Sequence, residues 1–304
     1  MGTLGYVEEF LHHERAAGRA SATLRNRRAA LEMLDEWLGT QRKSEDKLTG
    51  ADLVAFLNTR VGRYTPEHCN QIVSALRVYF RWLAEEGLRP DGSSPAARLK
   101  YLRAPAKPVE SLNEADCKKL VRWASVKAPR ERFGVHRTGV LALLLLDTGL
   151  RVGEALRLTV PDLDFDEGKI LVRKTKTGDF RVVPFSPLLR KYLRRYLEQR
   201  ARRLEKLGQQ SEFVFVSEGG APLQVTRAEH CFLRIGEVAG LGRRIHPHLL
   251  RHTFATQSLL NGAPLPAVMR LGGWRKLSTV QRYTYMNDAV AAEVHSRTSP
   301  LAAM

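Results

Sequence analysis

The spacing of apolar positions divides the chain into a helical first third and a mixed remainder. Leu4, Val7, Phe10 and Leu11 fall on one face of a helix that stops near Gly18. A second helix opens after Ser21 and carries Leu24, Leu31, Leu34, Trp37 and Leu38 as far as Gly39. Thr49, with Asp52 three residues on, has the pattern of a capping box ahead of Leu53, Val54, Phe56 and Leu57. Thr65-Pro66-Glu67 supplies an N-cap followed by proline at the first helical position. The helix behind it aligns Ile72, Val73, Leu76, Tyr79, Phe80 and Leu83 before Gly87. The pattern predicts a four-helix unit.

From 89 to 109 the periodicity stops. Pro90, Gly92, Ser93, Ser94, Pro95, Pro105 and Pro108 break it, and Arg98, Lys100, Arg103 and Lys107 make the stretch basic. It reads as a linker lying near a partner's phosphates, or as an ordinary solvated loop. The expected domains are 1–105, with the linker, and 106–304. In the second, 111–126 reads as a helix and 138–146 as a buried one. Phe165, 169–173 and 181–185 read as short antiparallel strands, the last two separated by a tight turn at Thr177-Gly178-Asp179. Residues 187–207 form a helix with Leu189, Leu193, Tyr196 and Leu197 inward, its many Arg and Lys reading as a solvated face. Residues 213–216 suggest one more strand, and the rest is helical. The fold class is therefore mainly α with a small antiparallel β-sheet.

Composition narrows the function. A chain of 304 residues with 43% apolar content can fill two cores, which excludes a wholly disordered basic tail. The longest apolar run, 140–146, is far short of the roughly 20 residues of a membrane span. No basic stretch followed by an apolar one opens the sequence, so no secretion signal is expected. Cys69, Cys117 and Cys231 are three, scattered and in no C-x-x-C pair, which argues against a disulfide scaffold or zinc site and for a reducing cytoplasm. Against that background, 49 Lys+Arg facing 32 Asp+Glu give a net charge of +17, which points to a polyanion such as nucleic acid. A merely basic protein is the plainer alternative.

The residues able to do chemistry are individually weak signals. Arg151, in Thr148-Gly149-Leu150-Arg151-Val152-Gly153-Glu154, reads either as a buried charge held by Glu154 or as a surface ion pair. Lys176 lies beside the hairpin turn, where a lysine normally faces solvent. His248 and Arg251, three apart in His246-Pro247-His248-Leu249-Leu250-Arg251-His252, share a helical face. A metal reading there lacks a third ligand, and His246 and His252 read as packing or capping residues. Trp274 follows a Leu271-Gly272-Gly273 break, and Tyr283 comes nine residues later.

Taken together and in order, R-x-x-E, a hairpin lysine, H-x-x-R, tryptophan and tyrosine closely resemble the tyrosine recombinase family of phage integrases and Xer-type resolvases. TGLRVGEALRL, TKTGDFRVVP, HPHLLRHTFAT and LGGWRKLSTVQRYTY carry the resemblance, which spans 111–285. It implies an N-terminal four-helix, SAM-like DNA-clamp domain and a C-terminal catalytic domain closing as a C-shaped clamp on duplex DNA. It also implies transfer of a phosphodiester to Tyr283, giving a 3′-phosphotyrosine and a free 5′-hydroxyl. On the same resemblance His248 assists proton transfer, Arg151 and Arg251 clamp the non-bridging oxygens, and Lys176 protonates the departing 5′-oxygen. Lys174 is the runner-up for the acid, although counting back from Arg181-Val182-Val183-Pro184 favours Lys176. Tyr285 is the alternative nucleophile.

Trp274 stands where the family often has histidine; its indole can donate a hydrogen bond but cannot act as acid or base. Glu154 reads as a support for the site. No cofactor and no metal are implied, because the phosphotyrosine bond stores the energy for resealing. The expected partners are double-stranded DNA with a specific core site and a homotetramer on two duplexes exchanging strands through a Holliday junction. A partner recombinase or accessory factor is compatible with this, and no membrane is involved. A short helix at 288–295 is expected to dock on a neighbouring protomer, or else to pack on its own domain. No further arm-binding domain is expected before the first helix. Thr226, Arg227, Arg243 and Arg244 are candidates for the major groove. The rival readings are a type IB topoisomerase-like enzyme and a non-catalytic DNA-binding protein on the same scaffold.

Overall fold

The structure, a computed structural model, describes residues 4–103, 110–130, 132–173, 180–281, 295, 296, 299 and 301. The chain separates into two compact units, Met1–Lys107 and Pro108–Met304.

In the first unit, α1 (Val7–Ala16), α2 (Ser21–Gln41), α3 (Gly50–Asn58) and α4 (Pro66–Glu85) follow the apolar periodicity. The Thr49 hydroxyl accepts from the Asp52 N–H while the Asp52 carboxylate accepts from the Thr49 N–H, and Thr65 caps α4 through the His68 N–H. Phe10, Leu31, Leu34, Phe56, Leu76, Tyr79 and Phe80 form its core. Two expectations need adjustment. First, α2 runs past Gly39 to Gln41 and is closed by Arg42 in the left-handed region (φ 51°). Second, the segment after Gly87 is not free chain up to Leu102. Arg89 is buried and donates to the carbonyls of Glu45 (2.9 Å) and Leu48 (3.2 Å). Ala96 and Leu99 join the core, and the Asn70 amide both donates to the Leu102 carbonyl and accepts from its N–H. Buried backbone carbonyls need donors, and Arg89 supplies one to Leu48 and adds to the one that Glu45 already receives from the Leu48 N–H.

The second unit is built around α6 (Phe133–Thr148). It is preceded by α5 (Glu114–Arg122) and followed by the single turn α7 (Val152–Ala155). The expected helix over 111–126 gives way after Arg122 to a π-turn, Trp123–Lys127, that lays Ala124 and Ala128 on α6 at Gly139. A β-carbon on Gly139 would stand 3.0 Å from that of Ala128, tighter than ordinary contact, so a side chain there would push the two segments apart by a few tenths of an ångström. Strands β1 (Leu163–Asp164), β2 (Lys169–Arg173) and β3 (Phe180–Pro184) form an antiparallel meander, with Leu171 opposite Val182. The tight turn expected at 177–179 lies outside the described residues.

Helix α8 (Pro187–Lys206) packs against α6. Its basic face is not wholly solvated: Arg200 is buried and donates to the carbonyls of Ser211 and Phe213, and Arg203 to that of Glu218. Residues 213–216 are not a strand of the sheet. Phe213 and Val216 make isolated bridges to Thr159 and Pro222, and the Phe213 carbonyl accepts from Arg200 of α8. The chain continues through α9 (Val225–Phe232), α10 (Ile235–Val238), α11 (Pro247–Leu260), α12 (Leu265–Gly272) and α13 (Leu277–Gln281). Helix α11 packs on the other flank of α6 and is tied to the start of the unit, where Thr253 accepts from the Leu112 N–H and Gln257 donates to its carbonyl. Among the described residues no helix is long and apolar enough to cross a membrane.

Candidate active site

The site forms where α6 ends. Gly149 closes the helix in the left-handed region (φ 63°), with the Phe254 ring filling the space where a side chain would begin: a β-carbon there would stand 2.2 Å from the ring. Only glycine meets both conditions. The turned backbone presents the Gly149 carbonyl to Arg251, whose Nη1 donates to it. Two residues on, Arg151 precedes α7. Glu154, on the first turn of α7, reaches back to accept from the Arg151 N–H (2.9 Å) and from Arg151 Nη1 (3.0 Å).

Both sequence readings of Arg151 are thus half right. Its own side chain is 46% exposed, whereas that of Glu154 is 10% exposed. The carboxylate tolerates burial because Arg181, from β3, donates to it with both Nη atoms at 3.1 and 2.8 Å. Burial alone would raise the Glu154 pKa; Arg181, then the Arg151 N–H and the two guanidinium charges, more than reverse this and bring it to about 2. Two guanidiniums against one carboxylate leave the cluster cationic, with its exposed charge on Arg151.

Helix α11 brings the second pair. His246 caps it, its Nδ1 accepting from the Leu249 N–H (3.1 Å), which is the capping role open to it in the sequence. His248 reaches solvent, and one turn later Arg251 is 4% exposed. The Arg251 guanidinium carbon lies 4.0 Å from the centroid of the Trp274 ring, a cation–π stack. Trp274 is fixed by its backbone N–H, which donates to the Met269 carbonyl, and by a small apolar cluster with Phe254, Ala255, Val268 and Val280. The adjacent Gly273 carbonyl accepts from Arg151 Nη2 (3.4 Å). Surrounding protein strips water from His248, and Arg251 and Arg151 add like charge nearby, so its pKa falls below the usual value.

Arg151, His248, Arg251 and Trp274 therefore converge. Lys176, its runner-up Lys174, Tyr283 and its alternative Tyr285 lie outside the described residues, as does 288–294 of the expected end helix. Arg181 carried no role in the sequence reading. The signal was present: β3 alternates, Arg181 shares the inward face with buried Val183, and an inward arginine calls for a buried acid. Of the groove candidates, Thr226 and Arg227 are exposed on α9 and Arg244 is exposed, while Arg243 pairs with Glu110 (2.7 Å).

Fold and site define a class: a two-unit, mainly helical protein whose second unit gathers arginines, a histidine and an indole into one cationic site. A family model described as the phage integrase family matches residues 110–289, and one described as a phage integrase N-terminal SAM-like domain matches 7–87. The chain belongs to the phage integrase family. It is 31% identical over 302 residues to tyrosine recombinase XerC of Oceanobacillus iheyensis, covering 98% of this chain and 96% of that protein. It is 32% identical over 282 residues to tyrosine recombinase XerA of Thermococcus kodakarensis, covering 91% and 89%. Its fold is similar to that of XerH site-specific recombinase bound to palindromic difH substrate in a post-cleavage complex, with a TM-score of 0.76 at 20% identity over 93% of this chain and 82% of that one.

Proposed function

We propose that this protein is a site-specific DNA recombinase that cleaves and rejoins strands through a 3′-phosphotyrosine. The convergence of Arg151, His248 and Arg251 beside Trp274, in a chain of this family, carries the reading. The Tyr283 hydroxyl attacks the scissile phosphorus; the Tyr–O–P bond forms and the P–O5′ bond breaks. A phenol has a pKa near 10, so it needs a base at neutral pH, and His248, whose surroundings disfavour its protonated form, accepts the proton. Arg151 and Arg251 neutralise the charge that gathers on the non-bridging oxygens. Trp274 holds the Arg251 guanidinium over its ring. Lys176 gives a proton to the departing 5′-oxygen. Resealing is the reverse attack by a 5′-hydroxyl.

The same reading places the protein in the cytoplasm on duplex DNA, as domains 1–105 and 106–304, acting as a tetramer on two duplexes. The test is incubation with nicked duplexes drawn from the DNA of its source, collection of detergent-resistant protein–DNA adducts, and sequencing of the attached ends. Wild type is expected to give adducts clustered at one site, and Tyr283→Phe none while still binding DNA. Adducts at scattered positions would point to a topoisomerase-like enzyme, and binding without any adduct would overturn catalysis.

A further inference from the structure

Arg181 sits where three parts of the site meet. Its terminal nitrogens donate to both oxygens of Glu154, and its Nε donates to the Leu271 carbonyl (3.1 Å). Its guanidinium carbon lies 2.9 Å from where a β-carbon on Gly273 would stand, so it fills the space beneath the Gly272 and Gly273 turn. Each of these contacts leads to a site residue. The carboxylate that Arg181 grips is the one that accepts from Arg151. The turn it supports offers the Gly273 carbonyl to Arg151 and leads directly into Trp274, which stacks on Arg251. Only a planar fork with donors in fixed directions spans these acceptors at once; a lysine ammonium concentrates its donors on one atom. At 9% exposure the Arg181 side chain is enclosed by the groups it holds.

We infer that Arg181 is a positioning residue for strand cleavage. It locks the carboxylate that aims Arg151 and the turn that carries Trp274 to one strand, β3. The inference rests on the recombinase reading for its effect on rate, but its structural half stands apart from that reading. Loss of the fork leaves Glu154 with Arg151 as its single guanidinium partner among the described residues, and frees the turn on one side.

The experiment uses the full chain carrying Arg181→Lys. In the DNA-free protein, nitrogen-15 relaxation at the Arg151 Nε, assigned with Arg151→Lys, is expected to show a lower order parameter than in wild type. On nicked DNA, adduct formation is expected to slow about 10- to 100-fold, as for removal of an orienting partner, with affinity for DNA changed less than about twofold. In an Arg151→Ala background the same change is expected to cost clearly less than it does in wild type, since one of the two groups it acts through is gone while the turn carrying Trp274 remains. Undiminished Arg151 order, a wild-type adduct rate, or the full cost persisting beside Arg151→Ala would each overturn the inference. If wild type itself forms no adduct, the recombinase reading fails, while the Arg151 order parameter still decides the positioning. Should Arg181→Lys unfold, Glu154→Gln keeps the side-chain shape, cuts the link from its other end, and carries the same three readouts.

Discussion

A histidine crowded by arginines holds its proton poorly. His248 loses hydration to the protein around it and faces Arg251 one turn away, both of which disfavour the imidazolium. A base must be unprotonated to act, so a lowered pKa keeps His248 competent to lower pH. The acidic limb of the rate of adduct formation is therefore expected below pH 6.5, the ordinary histidine value. A pH–rate profile whose limb falls at 6.5 or above would remove His248 from the role of base. His248 and Arg251 were legible as residues because three-residue spacing on a helix is itself geometry. Trp274 was legible as a site residue, though not in its stacking on Arg251, since the ring's partner lies on another helix. Arg181 was missed although its place on the inward face of β3 could be read, because the acid it serves lies 27 residues away.

Among the elements, the turn ending α6 carries the tightest constraint. Gly149 has φ 63° and no room beside the Phe254 ring, so Gly149→Ala combines backbone strain with a clash. Each contributes about 1–3 kcal/mol, and a loss near 3 kcal/mol is expected, read by urea unfolding of the second unit. A loss below about 0.5 kcal/mol would show that the turn has another way to relax. Helices were legible where a cap preceded an apolar stripe, as at Thr49 and Thr65, whereas α6, expected over 138–146, begins at Phe133 with no side-chain cap to mark it. Two errors share one cause. The π-turn after Arg122 and the folding of 89–102 onto the first unit depend on partners distant in sequence. Local periodicity cannot report such a partner.

Across the whole molecule, a net charge of +17 makes DNA affinity depend on salt through the number of phosphates neutralised. Arg227 is exposed on α9 and was singled out by sequence alone. Arg227→Ala is expected to weaken binding evenly across sequences and to reduce the slope of log K against log salt by about 1. Fluorescence anisotropy over a salt series measures both, and unchanged affinity and slope would take Arg227 off the interface.

The site's hydrogen bonds also bear on how the chain folds. Arg251 reaches Gly149 across 102 residues, and Arg151 reaches Gly273 across 122. Closing loops of that length is entropically slow, so these links form late, after the local helices. A nascent or half-melted chain thus carries the arginines and the histidine but not their arrangement. The capacity to cut DNA comes only with the finished fold.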